Sequence, residues 1–275
     1  MILKVFNFPS VDTMMSKQQI KVNSRLKGQA KVSNGLKRQV TVKNDPVFHI
    51  IIDNLLGEKN QDILSHIVSL RNHYDDATVG SYNLDKDFRT NVVCYIDALY
   101  WKDFRLVDGS KDWPRHKEFR ADNSPLLRSV DNLFEDDMMR QVMASTPFPL
   151  CKFGSVNTWE TQVSRYGDNG QFYTWHYDRI RDNRLISLLY FVSSSPRKFD
   201  GGELGITNGV QYNGELLGQA ENIEIKPEND RLVIFNSRTV NCIKPTKSPE
   251  KFEDGMFCVN IWAGRAGPFD LDDQL

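Results

Sequence analysis

The chain has 275 residues, of which 40% are hydrophobic, enough to bury a full core. Its formal net charge of −1 gives no global electrostatic attraction to nucleic acid or an anionic membrane, and no apolar run approaches the length of a membrane span. The start, Met1-Ile2-Leu3-Lys4-Val5-Phe6, lacks the charged-then-apolar layout of a secretory signal, so a cytoplasmic location is expected. Cys94, Cys151, Cys242 and Cys258 show none of the short paired spacings of zinc sites and read as buried thiols.

Residues 1–45 form a basic N-terminal extension. Lys17, Lys21, Arg25, Lys27, Lys31, Lys37, Arg38 and Lys43 occur with no acidic residue between them. Such a run is a solvated extension or an arm for an acidic partner or nucleic acid, and the alternation in Gln39-Val40-Thr41-Val42 also permits an edge strand. Residues 46–150 read as a helical supporting region. Ile63, Ile67 and Leu70 recur at helical spacing, and Leu126, Leu127, Val130, Leu133 and Met138 give a second helix between 124 and 144 an apolar face. His49, His66, His73 and His116 are scattered through this half without carboxylates at ligand spacing and read as core or surface histidines.

Residues 151–275 change character to short β-branched and aromatic runs punctuated by turn residues. Strands are predicted at Thr158–Tyr166, Leu185–Val192, Glu203–Ile206, Leu232–Phe235 and Phe257–Trp262. Asp168-Asn169-Gly170, Asp200-Gly201-Gly202 and Asn213-Gly214 supply the turns. Many short strands in one continuous half predict a sandwich or barrel. The stretch 208–222 reads as a hairpin, either a lid or substrate-binding loop or a plain surface decoration.

The chemistry centres on Phe172-Tyr173-Thr174-Trp175-His176-Tyr177-Asp178. A strand has a side-chain period of two, so His176 and Asp178 share a face and supply an imidazole and a carboxylate to one metal ion. Trp175 then points away from that face. A lone His-x-Asp is a weak signal, and the surrounding motifs decide its meaning.

Those motifs are Ser164-Arg165-Tyr166-Gly167, Phe172-Tyr173 with His176 and Asp178, and Leu188-Leu189-Tyr190-Phe191. Phe199-Asp200-Gly201-Gly202-Glu203-Leu204 follows, then Lys226-Pro227 leading to Arg231-Leu232-Val233-Ile234-Phe235. Ser237-Arg238-Thr239-Val240-Asn241 and Val259-Asn260-Ile261-Trp262 complete the set. In this order they resemble the prolyl 4-hydroxylase-like branch of the 2-oxoglutarate/iron(II) dioxygenases. The resemblance implies a mainly β fold with supporting helices, a double-stranded β-helix (jelly-roll) barrel with the site in its mouth. It also implies iron(II) and 2-oxoglutarate as cofactors and hydroxylation of an amino-acid, peptide or protein substrate.

By the same resemblance His176 and Asp178 fall on the first two iron ligands, and Tyr166 and Tyr190 fall on the tyrosines that bond the 2-oxoglutarate carboxylates. Two positions depart from the pattern. Asn241 stands where the distal iron-binding histidine is expected, and its neutral amide oxygen is a poorer donor to iron(II) than imidazole. Met256 stands where an arginine pairs with the distal 2-oxoglutarate carboxylate, and a buried carboxylate left without that partner costs about 2–5 kcal/mol. Arg238, Lys244 and Arg265 are the candidate replacement anchors. Two readings follow: an iron(II)/2-oxoglutarate oxygenase with an altered site, or a binding module that retained the barrel without turnover.

Overall fold

A computed structural model describes residues 30–31, 37–77, 85–102, 105–108, 158–167, 170–178, 184–248 and 251–264. The strands in chain order are β1 (Ala30–Lys31), β2 (Lys37–Lys43), β3 (His49–Asp53), β4 (Asp75–Asp76), β5 (Val92–Lys102) and β6 (Arg105–Asp108). They continue with β7 (Thr158–Tyr166), β8 (Tyr173–Tyr177), β9 (Arg184–Val192), β10 (Asp200–Gly201), β11 (Leu204–Thr207) and β12 (Val210–Tyr212). The last are β13 (Glu215–Leu217), β14 (Asn222–Ile225), β15 (Arg231–Asn236), β16 (Val240–Ile243), β17 (Thr246–Lys247) and β18 (Met256–Gly264). Helix α1 spans Asn60–Ser69.

Among the described residues β1 to β7, β9, β15 and β18 form a ten-stranded sheet with the central order β3-β15-β9-β18-β7-β5. A four-stranded sheet, β14-β11-β16-β8, faces it. All recorded pairings are antiparallel, and the two sheets exchange no strand, so they make a two-sheet jelly roll rather than a hydrogen-bonded closed barrel.

The side-chain period of two sorts the large sheet into two layers. Ile186, Leu188, Tyr190 and Val192 of β9 join Leu232, Ile234, Phe257, Val259 and Ile261 beneath Ile63, Leu64, Ile67 and Leu70 of the α1 region. Leu189 and Phe191 point the other way and meet Val233, Phe235, Met256 and Cys258 from their own sheet and Leu204, Ile206, Ile225 and Ile243 from the small one. β9 is buried on both faces, which is why it reads as an almost unbroken apolar run. Fully burying each large side chain contributes about 1.5–3 kcal/mol.

The expected strands all form, each within a residue or two of its predicted ends. Helix α1 also forms where Ile63 and Ile67 predict it. The helix expected between 124 and 144 lies outside the described residues. The region 46–150 is not helical throughout: β5 lies beside β7, because Val92-Val93-Cys94-Tyr95-Ile96 is rich in residues that fit a pleated surface and carries Cys94 and Ile96 into the helix-facing layer. β2, within the basic extension, pairs with β3, so Lys37, Arg38 and Lys43 belong to the large sheet. Lys17, Lys21, Arg25 and Lys27 lie outside the described residues.

Candidate metal centre

β8 and β16 form the floor of the site. Asn241 stands opposite His176 and Val240 opposite Tyr177, but Ile243 stands opposite Tyr173. Three steps along β8 therefore match two along β16, a β-bulge that inserts one residue between Tyr173 and His176. Without it the two rings would lie on opposite faces. With it they stack, centroids 3.5 Å apart and planes 11° from parallel. Directly opposed residues of an antiparallel pair share a face, so Asn241 also points toward His176 and Asp178.

His176 and Asp178 are buried at 6% and 5% exposure. The ring Nδ1 of His176 lies 2.8 Å from the Thr174 carbonyl, to which it can only donate, leaving Nε2 to face Asp178 Oδ1 at 3.4 Å. An imidazole nitrogen and a carboxylate oxygen that face each other in this way suit a metal ion held between them. The second oxygen, Asp178 Oδ2, is buried without a hydrogen-bond partner. Burial would raise the Asp178 carboxyl, but hydrogen bonding and charge from His176, with lesser help from Ser187 and Arg184, outweigh it and hold the group below its ordinary value. A buried, ionised, half-unsatisfied carboxylate beside an inward imidazole nitrogen fits a divalent cation.

Asn241 is 1% exposed, and its Nδ2 donates to the carbonyls of His176 (3.4 Å) and Thr239 (3.3 Å). That orientation leaves Oδ1 as its donor atom for a metal. No group of three or more His, Cys, Asp and Glu gathers among the described residues, and Asn241 is the polar side chain directly opposed to His176. Cys242 faces the opposite side of β16, its Sγ against Gly205, and burial pushes its thiol up to about 12. His49 is a core histidine with Nδ1 on the Val47 carbonyl.

The other sequence candidates divide by layer. Tyr166 is 2% exposed between the sheets, directly across from Met256. Met256 is fully buried and lies so close to Gly202 that a Cβ there would come within 2.6 Å of its sulfur. Tyr190 is not at the site: it faces the α1 layer, where its hydroxyl accepts from Asn60 Nδ2 and donates to Asp230 Oδ1, both at 2.7 Å. Arg238 is exposed beside a cavity of about 300 Å³ lined by Phe48, Thr207 and Asn236, and Lys244 pairs with Glu224. Neither points between the sheets, and Arg265 lies outside the described residues.

Three residues that sequence reasoning gave no role complete the surroundings. Arg184 donates to the Asp178 carbonyl at 3.1 Å, pairs with Glu160 and lies 4.1 Å over the Trp262 ring, so it fixes the ligand strand from the side. Tyr173 covers His176. Arg89, only 6% exposed, is bridged to Tyr173 in an antiparallel pair and holds its guanidinium 4.1 Å from the centre of that ring. That Tyr173 stacks on His176 depends on the bulge, which no sequence motif marks, and Arg89 sits in a stretch whose sequence carries no motif.

Residues 161–262 match the model of the 2OG-Fe(II) oxygenase superfamily. An uncharacterized PKHD-type hydroxylase from Synechocystis sp. is 28% identical over 107 residues, covering 38% of this chain and 35% of that protein. Solved structures with a similar chain path include a Trichoplax adhaerens prolyl hydroxylase in complex with a hypoxia inducible factor oxygen degradation domain peptide fragment. It has a TM-score of 0.49 and 18% identity, over 78% of this chain and 83% of the other. A Pseudomonas putida prolyl-4-hydroxylase has a TM-score of 0.48 and 17% identity, over 80% and 93%. Residues 161–262, the stretch that matches the 2OG-Fe(II) oxygenase superfamily model, carry His176 and Asn241 on opposed positions of β8 and β16, with Asp178 directly after β8.

Proposed function

We propose that the protein is an iron(II)- and 2-oxoglutarate-dependent oxygenase of the prolyl 4-hydroxylase-like kind, acting on an amino-acid, peptide or protein substrate. The observation that carries this reading is the buried Asp178 carboxylate, with Oδ2 unpartnered and Oδ1 facing His176 Nε2. His176 and Asp178 would hold the iron, and the Asn241 amide oxygen or a water would complete the protein side. When bound, iron and 2-oxoglutarate would react with dioxygen to hydroxylate a C–H bond, one oxygen atom entering the product and the other the succinate released with carbon dioxide.

The chain's own part is to orient and to exclude water. Tyr173 shields one face of His176, Arg184 fixes the carbonyl of Asp178, and the apolar layer of Leu189, Phe191, Phe235 and Met256 closes the interior. The hairpin β12–β13 supports an extended substrate. Its turn is built on Asn213 (φ 48°) and Gly214 (φ 83°), the pairing that favours a tight hairpin. Gly214 packs on Thr174 of the ligand strand, and Val210, Tyr212 and Leu217 stand 55–67% exposed. Apolar side chains displayed beside a site suit contact with a peptide.

Met256 and Asn241 favour the second reading, a barrel kept for binding without turnover. Succinate formation from 2-oxoglutarate with iron(II) separates the two. Oxygen-dependent succinate above a His176→Ala control is expected, and succinate no higher than that control under air would leave the binding module.

A further inference from the structure

We propose that Arg89 is the carboxylate anchor of this site: entering ahead of β5, its guanidinium receives the distal carboxylate of an oxo-acid cosubstrate together with the Tyr166 hydroxyl. The inference rests on the oxygenase reading and adds the residue that fixes its acid ligand.

Among the described residues the space between the sheets receives few cations. The inward residues of β18 are Met256, Cys258, Asn260 and Trp262, those of β9 are Ser187, Leu189 and Phe191, and those of β15 are Val233 and Phe235. Arg184 reaches the interior but is committed to Glu160 and to the Asp178 carbonyl. Arg165 turns outward, onto the Phe252 carbonyl and ring. Arg89 is differently placed. Its backbone segment is stitched to the start of β8 by Thr174 N–H to the Phe88 carbonyl (2.9 Å) and Thr90 N–H to the Phe172 carbonyl (3.1 Å). Nε is steered by Asn91 Oδ1 at 3.0 Å, so the planar group is held in one orientation against Tyr173.

His176 occupies one face of the Tyr173 ring at 3.5 Å, so the guanidinium at 4.1 Å must occupy the other. One ring thus separates the anchor from the metal ligand, a spacing suited to an acid that chelates the metal at one end and carries its second carboxylate at the other. Burial raises the Tyr166 and Tyr95 hydroxyls, and the Arg89 charge is the largest effect opposing it at both. A buried guanidinium recognises a carboxylate through a fork geometry that lysine cannot reproduce.

The test uses the full-length protein loaded with Mn(II). 2-Oxoglutarate and 2-oxopentanoate, which lacks only the distal carboxylate, are titrated by calorimetry. The wild type is expected to prefer 2-oxoglutarate by about 10- to 100-fold, the range of a charge-assisted pair. Arg89→Met should erase that preference while leaving Mn(II) and 2-oxopentanoate affinities unchanged. Arg89→Lys should keep part of it, and Arg89→Met/Met256→Arg should recover it. A preference that survives Arg89→Met in a protein folded by circular dichroism overturns the proposal. So does a wild type that binds both acids equally, whatever the variants do, and that outcome leaves the oxygenase reading standing. Binding of neither acid to the Mn(II) protein overturns both.

Discussion

Asp178 and His176 set the chemistry at the residue scale, because each has its inner atom turned toward the same buried point. The wild type should bind one Mn(II) or iron(II), and His176→Ala should abolish it. Calorimetric traces that are the same for the two proteins would remove the metal centre. Asn241 has the right position and a weak donor. Asn241→His should tighten metal binding by roughly tenfold or more, since imidazole replaces a neutral amide oxygen. The directly opposed pairing of Asn241 with His176 makes this a clean test of the third ligand. An unchanged dissociation constant would show that position 241 does not reach the ion.

Elements explain what was legible in the sequence. The His-x-Asp spacing placed both ligands on one face of β8, and turn residues bracketed β7, β9, β11, β15 and β18 because their apolar runs are short and well punctuated. Tyr190 shows the limit. In a strand buried on both sides, Leu188-Leu189-Tyr190-Phe191 has no polar face to betray which parity points inward, and the structure sends Leu189 and Phe191 to the site layer. Tyr190 instead anchors a structural knot. Asp230 accepts from its hydroxyl and from the Leu56 (2.9 Å) and Gly57 (2.8 Å) amides at the approach to α1. Removing that acceptor strands three donors, so Asp230→Ala should lower stability by about 2–4 kcal/mol in urea unfolding. A loss under 0.5 kcal/mol would mean water replaces it.

For the whole molecule, the basic extension and the jelly roll are not separable, since β2 extends the large sheet and Val40 and Val42 pack on its outer core. The sequence suggested an edge strand through Gln39-Val40-Thr41-Val42, but a run of lysines disguised its attachment to the core. Deleting residues 1–44 should therefore destabilise the protein by about 2–4 kcal/mol through lost apolar contact. Equal thermal midpoints for the full and shortened chains would contradict that.

The separation of the two sheets also shapes how the molecule opens. β9 and β18 are flanked by partners on both sides, whereas β8, the ligand strand, is the outer strand of the small sheet. Its first half is covered by the Phe88–Thr90 segment, and the half that bears His176 and leads to Asp178 pairs only with β16 among the described residues. Amide hydrogens should therefore exchange with solvent fastest along β8 and slowest along β9 and β18. Metal binding would join β8 to β16 through side chains where the backbone ladder ends. The ion should thus act as the clasp of the small sheet, and exchange along β8 should slow on loading while β9 and β18 stay unchanged.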